Sequence, residues 1–176
     1  MIDNNIVLIG FMGTGKSTIS KYMSRMYGME IVEMDQIIEE REGMSISNIF
    51  EKHGEEYFRN LETELLIEMQ DKKNVIISCG GGVAMRERNV AEMKKIGKVV
   101  LLTASPETIL DRVKDNDDRP LLNGNKNVEY IEKLMEARRK KYEAAADILV
   151  ETDNKPAQEI CEDMVRKLME LDGADV

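Results

Sequence analysis

Gly10-Phe11-Met12-Gly13-Thr14-Gly15-Lys16-Ser17 carries the densest chemistry in the chain and fits the pattern GxxxxGK[ST]. It follows a β-branched apolar run, Ile6–Ile9, and opens a stretch with helical spacing, the context this motif requires. Its glycines let successive backbone N–H groups wrap a polyphosphate, and a helix N-terminus behind them adds partial positive charge. Lys16 can reach the β and γ phosphates, and Ser17 can ligate Mg²⁺. The motif alone chooses no reaction, since kinases, GTPases and motor ATPases share it. The guanine-reading NKxD pattern is not completed, because Asn154-Lys155 continues as Pro156-Ala157, which speaks against a GTPase.

Four further groups can act on a ligand. Glu33 and Asp35 stand at the end of a second strand-like run, where an open α/β sheet binds ligands, and residues two apart on an extended chain face the same way. The same spacing suits Asp35 as an N-cap of a helix beginning at Gln36. Arg138 lies on the stripe Val128, Ile131, Met135, Arg138, Tyr142, a guanidinium where a core residue is expected. It needs an anion, either an internal carboxylate such as Asp147 or one that a ligand brings. Arg59 is flanked by Glu55 and Glu62 at helical spacing, which fits a solvated surface pair as well as a binding role. Gly80-Gly81-Gly82 follows a third strand-like run and suggests close approach of backbone to a ligand.

The elements that must position these residues alternate. Apolar runs at Ile6–Ile9, Ile31–Val32, Val75–Ile77, Val99–Leu102 and Ile148–Val150 are separated by helical stretches, which predicts a three-layer α/β/α fold around a five-stranded parallel sheet. Helices are expected near Ser17–Tyr27, Asp35–Glu42, Ser45–Lys52, Glu55–Gln70, Arg86–Lys94, Pro106–Val113, Val128–Ala144 and Pro156–Leu171. The polar, Asp/Asn-rich stretch around Arg119-Pro120-Leu121-Leu122 has the composition of a functional loop. The chain of 176 residues suits one domain, 1–176, with no repeat and no linker. A net charge of −9 argues against nucleic acid as a partner, and no apolar run reaches the ~18 residues of a membrane span. No secretory signal is expected, and Cys79 and Cys161 form no disulfide framework, so a cytoplasmic protein is expected. One histidine, His53, and two isolated cysteines leave no zinc cluster in view.

Taken together, the phosphate loop, Glu33–Asp35, Glu55-Glu56-Tyr57-Phe58-Arg59, the triple glycine, Arg119-Pro120-Leu121-Leu122 and Arg138 with Tyr142 and Asp147 resemble the shikimate kinase family, small P-loop kinases related in fold to nucleoside monophosphate kinases. The resemblance runs over nearly the whole chain and implies transfer of the ATP γ-phosphoryl group to the 3-hydroxyl of shikimate, with Mg²⁺, in a cytoplasmic monomer of the pathway to aromatic amino acids. It implies a shikimate-binding segment around residues 33–61 and a lid around 112–125. Gly13, Thr14, Gly15, Lys16, Ser17 and Thr18 would hold the phosphates of ATP, and Arg112 and Pro156 would border adenine. Asp35 would bind the ring hydroxyls as candidate base, Arg59 and Arg138 would clamp the substrate carboxylate, and Gly80, Gly81 and Gly82 would line its site. Arg119 would reach the transferring phosphate with Lys16. Ser17 and Glu33 would serve the metal. Family members commonly carry aspartate where this chain has Glu33, which keeps the charge and adds a methylene. The neighbouring alternatives are a gluconate-type or nucleoside monophosphate kinase of the same fold, and a nucleotide-binding module without catalysis.

Overall fold

In the computed structural model, which describes residues 4–114 and 127–173, five short strands form one parallel sheet in the order β2-β3-β1-β4-β5. They are β1 (Ile6–Ile9), β2 (Glu30–Glu33), β3 (Val75–Ser78), β4 (Lys98–Thr103) and β5 (Ile148–Glu151). Helices α1 (Lys16–Tyr27), α2 (Met34–Glu42), α3 (Ile46–Glu68), α4 (Glu87–Ile96), α5 (Pro106–Val113), α6 (Val128–Ala145) and α7 (Ala157–Leu171) connect and follow them. The three central strands are buried on both faces, which is why they read as continuous apolar runs rather than alternating ones. Ile6, Leu8, Ile76, Val100, Leu102 and Val150 meet α1 and α7 on one side. Val7, Ile9, Ile77, Val99 and Leu101 meet residues of α3, α4, α5 and α6 on the other.

The topology fixes where a ligand can sit. The chain runs from β1 out to β2, returns to β3 beside β1, and then crosses to β4 on the opposite side of β1. The loops after β1 and β3 therefore meet at the carboxyl edge of adjacent strands, the crevice in which open α/β sheets bind ligands. Register keeps β2 level with them, with Glu33 opposite Ser78, the residue two before Gly80.

Two expected boundaries move. The helices expected over 45–52 and 55–70 run together as α3, broken by a kink at Gly54, whose φ of 82° and ψ of 169° lie in a region open essentially to glycine. Ser45 caps the first half, its hydroxyl accepting from the Asn48 amide at 3.2 Å. Helix α2 begins one residue earlier than expected, so Glu33 occupies its N-cap position and Asp35 lies inside its first turn. Asp35 is thus not the cap, and it reaches the sheet edge as a helical residue rather than along an extended strand. Among the described residues no helix is long and apolar enough to cross a membrane.

Candidate active site

The loop between β1 and α1 is held open for an anion. Gly13 and Gly15 take positive φ, 80° and 96°, and Gly15 sits at the N-cap of α1 with no side chain capping the helix. The first N–H groups of α1 thus remain available to phosphate oxygens. Thr14 Oγ1 donates to the Phe11 carbonyl at 2.8 Å, and Lys16 Nζ donates to the carbonyls of Gly10 and Phe11 at 2.9 and 3.0 Å, curling over the loop it would serve. Ser17 Oγ donates to Glu33 Oε2 at 3.3 Å, which brings together the two oxygen donors expected at a metal. A cleft of about 620 Å³ extends from here past Thr18, Glu33 and Asp35 to Gly80 and Gly81.

On the far side of that cleft the triple glycine faces polar side chains, two carboxylates at Gly80 and one guanidinium at each of Gly81 and Gly82. A Cβ added to Gly80 would lie 2.8 Å from Asp35 Oδ1 and 3.2 Å from Glu62 Oε2. At Gly81 it would lie 3.4 Å from Arg138 Nη1, and at Gly82 only 2.7 Å from Arg59 Cζ. A side chain at the first or third position would displace a carboxylate or a guanidinium, so Gly80 and Gly82 are required by close approach rather than by the turn alone.

Arg59 is not a solvated surface pair. Its side chain is 14% exposed and that of Glu62 is fully buried, with Nη1 to Oε1 at 2.6 Å; Glu55 adds a longer contact at 3.3 Å. Burial opposes the Arg59 charge, yet Glu62 and Glu55 together hold its pKa above the ordinary guanidinium value. Desolvation pushes Glu62 up to about 7, against the pull of Arg59 and with Asp35 adding repulsion. Arg138 is half-buried over the Phe11 ring, 5.8 Å from its centroid. Its Nη1 is buried with no hydrogen-bond partner among the described residues, as is Glu62 Oε2. Asp147, the internal partner considered for Arg138, is instead engaged by Lys94 at 2.8 Å and by the Val99 amide at 2.7 Å. Asp147 is therefore not the internal partner of Arg138 among the described residues.

A family model described as Shikimate kinase matches residues 12–169. The chain belongs to the shikimate kinase family. A shikimate kinase of Dehalococcoides mccartyi is 44% identical over 170 residues, covering 97% of this chain and 96% of that one. The fold is equally close to that of solved shikimate kinases. The Acinetobacter baumannii enzyme in complex with shikimate superposes with a TM-score of 0.89 at 31% identity, over 96% of this chain and 94% of its own. The Aquifex aeolicus enzyme superposes with a TM-score of 0.82 at 40% identity, over 97% of this chain and 99% of its own. Members of this family are ATP-dependent kinases.

Of the remaining positions expected from the sequence, Arg112 and Pro156 lie among the described residues. Arg112, from α5, donates from Nη1 to the Gly13 carbonyl at 2.9 Å and to Thr152 Oγ1 at 3.2 Å, so it lies against the phosphate loop and the end of β5. Pro156 occupies the N-cap position of α7, four residues beyond Thr152. Arg119 and residues 115–125 of the expected lid lie outside the described residues. Two site residues escape a reading by sequence alone. Glu62 is visible only as the i+3 neighbour of Arg59, and that spacing does not tell a buried pair from a surface one. Tyr142 marks the Arg138 stripe, but its hydroxyl donates to the Gly81 carbonyl, a contact 61 residues away that no local pattern announces.

Proposed function

We propose that the chain performs the reaction of its family, transferring the γ-phosphoryl group of ATP to the 3-hydroxyl of shikimate to give shikimate 3-phosphate and ADP. The observation that carries this reading is the triple glycine set against Asp35, Arg138 and Arg59 across a cleft from the phosphate loop. Shikimate is a small polyol carboxylate, and two guanidiniums suit a carboxylate through paired hydrogen bonds while a carboxylate side chain suits hydroxyls.

The roles follow from charge and place. Residues 13–18 cradle the phosphates, with Lys16 set to leave its loop carbonyls for the β and γ oxygens. Arg59 and Arg138 clamp the substrate carboxylate, and Asp35 orients the attacking hydroxyl and accepts its proton. Phosphoryl transfer passes through a loose transition state, so positioning and charge stabilisation by Lys16, and by Arg119 from the lid at 112–125, supply most of the acceleration. Arg112 and Pro156 border adenine. Residues 33–61 form the shikimate-binding segment of a single domain spanning 1–176. Ser17 and Glu33 offer two oxygens 3.3 Å apart, a donor pair suited to a hard divalent cation, and they would hold Mg²⁺. Bound there, the ion would supply charge neutralisation for the phosphates. A monomeric cytoplasmic protein without nucleic-acid partners fits the acidic surface.

An acceptor panel tests the reading. Purified protein with Mg²⁺ and ATP should release ADP in the presence of shikimate. Turnover of gluconate or of a nucleoside monophosphate, with none of shikimate, would overturn it.

A further inference from the structure

Three consecutive glycines leave the orientation of their peptide planes open, because no side chain restricts φ or ψ. Something outside the loop must choose that orientation if the loop is to present the same face to each substrate molecule. Tyr142 is placed to do so. It is 5% exposed, stands one helical turn beyond Arg138 on α6, and its hydroxyl donates to the Gly81 carbonyl. Burial raises its pKa, with the charges of Arg138 and Arg59 opposing, so the hydroxyl keeps its proton and stays a donor.

The Gly81–Gly82 peptide is trans, as are all among the described residues, and across a trans peptide the carbonyl of one residue and the N–H of the next point in opposite directions. Holding the Gly81 carbonyl toward Tyr142 therefore turns the Gly82 N–H away from it. Gly82 is buried, and its N–H meets no acceptor among the described residues, although the carbonyls of Gly80 and Gly82 accept from Val83 and Met85 at 3.2 and 3.1 Å. Buried backbone donors are ordinarily paired, so this one awaits a partner. The two guanidiniums stand against the same two glycines: a Cβ added at Gly81 would meet Arg138, and one added at Gly82 would meet Arg59.

We infer that Tyr142 is a positioning residue for shikimate. By fixing the Gly81–Gly82 peptide, it aims the Gly82 N–H at a carboxylate oxygen held between Arg59 and Arg138. It touches neither substrate nor nucleotide and acts through the loop. The inference rests on the shikimate-binding role proposed above.

Tyr142→Phe removes the hydroxyl and keeps the ring that packs in the core. The expected result is a rise of about tenfold in the KM for shikimate, the weight of one hydrogen bond to a charged group, with kcat and the KM for ATP within about twofold of wild type. A purely structural role would move both KM values and the unfolding midpoint together. In ¹⁵N spectra of the ligand-free protein, the Gly81 and Gly82 amides should be sharp in wild type and broadened or doubled in Tyr142→Phe, as the peptide samples both orientations. An unchanged shikimate KM with unchanged Gly82 resonances overturns the inference, as does a parallel rise in the KM for ATP. Failure of wild type to phosphorylate shikimate would overturn the substrate reading instead, and the ligand-free spectra would still decide whether Tyr142 sets the loop.

Discussion

At the scale of single residues the site is governed by one buried carboxyl and two guanidiniums. Glu62 titrates near 7 because burial penalises its charge and Asp35 lies close by, while Arg59 stabilises the ionised form. A shikimate carboxylate arriving at Arg59 adds a third anion and competes for the same guanidinium, which raises the Glu62 pKa further. Binding should therefore take up a fraction of a proton near pH 7, and by linkage shikimate affinity should weaken as pH rises through about 7. Calorimetry in buffers of differing ionisation enthalpy measures the uptake, and Glu62→Gln, neutral at every pH, should abolish both uptake and slope; a slope that persists in that variant refutes the assignment. Arg138 makes a simpler prediction. A lysine there keeps the charge but loses the fork, so Arg138→Lys should weaken shikimate binding about ten- to a hundredfold and leave ATP binding near wild type. Equal shikimate affinity in the two proteins would remove Arg138 from the clamp. Periodicity picks out Arg138 in the sequence and marks Glu62 only as a neighbour of Arg59, and it gives the depth of neither. The Arg59–Glu62 pair has the spacing of countless surface pairs, and only the packing of α3 against the glycine loop makes it a buried one.

At the scale of elements, the decisive device is the break in α3. Gly54 lets the chain change direction between Ser45, which caps the first half, and the turn carrying Arg59 and Glu62. Phe50 and Phe58 pack across the break with ring centroids 5.0 Å apart. A Cβ at Gly54 would meet open space, so Gly54→Ala costs backbone strain alone, about 1–3 kcal/mol. Urea unfolding should show that loss as a lower midpoint with an unchanged slope, and the KM for shikimate should rise more than that for ATP, since the strain sits in the helix that carries Arg59. No loss of stability would mean that α3 tolerates an L-residue at this turn. Separate helices over 45–52 and 55–70 are expected from the sequence, and Gly54 lies between them. The sequence also announces all five strands, because β-branched runs bounded by turns leave little choice. It does not announce that α2 starts at Met34, since Asp35 is a good capping residue and tertiary placement of β2, not local preference, decides the boundary.

At the scale of the whole molecule, a net charge of −9 surrounds a cleft edge that gathers Lys16, Arg59, Arg112 and Arg138. The overall charge governs solubility and disfavours polyanionic partners, but it says little about a small anion that reaches these cations. Among the described residues, other cations form exposed pairs such as Arg41 with Glu68 and Lys72 with Glu30, each worth little and readily screened. The half-buried Arg59 and Arg138 are screened far less. Ligand binding should consequently stabilise the entire fold in a way that survives added salt. Shikimate at a hundred times its Kd stabilises by about 2.7 kcal/mol, which for a chain of this size lifts the unfolding midpoint by about 5–10 °C. Raising the salt by about 0.3 M should leave most of that shift in place. Arg138→Lys at the same shikimate concentration should lose about 3–5 °C of it for each tenfold drop in affinity. A wild-type shift that vanishes with salt would show that the carboxylate is held by exposed charges. A shift of the same size in both proteins would show that shikimate stabilises the fold from a place that does not involve the Arg138 guanidinium.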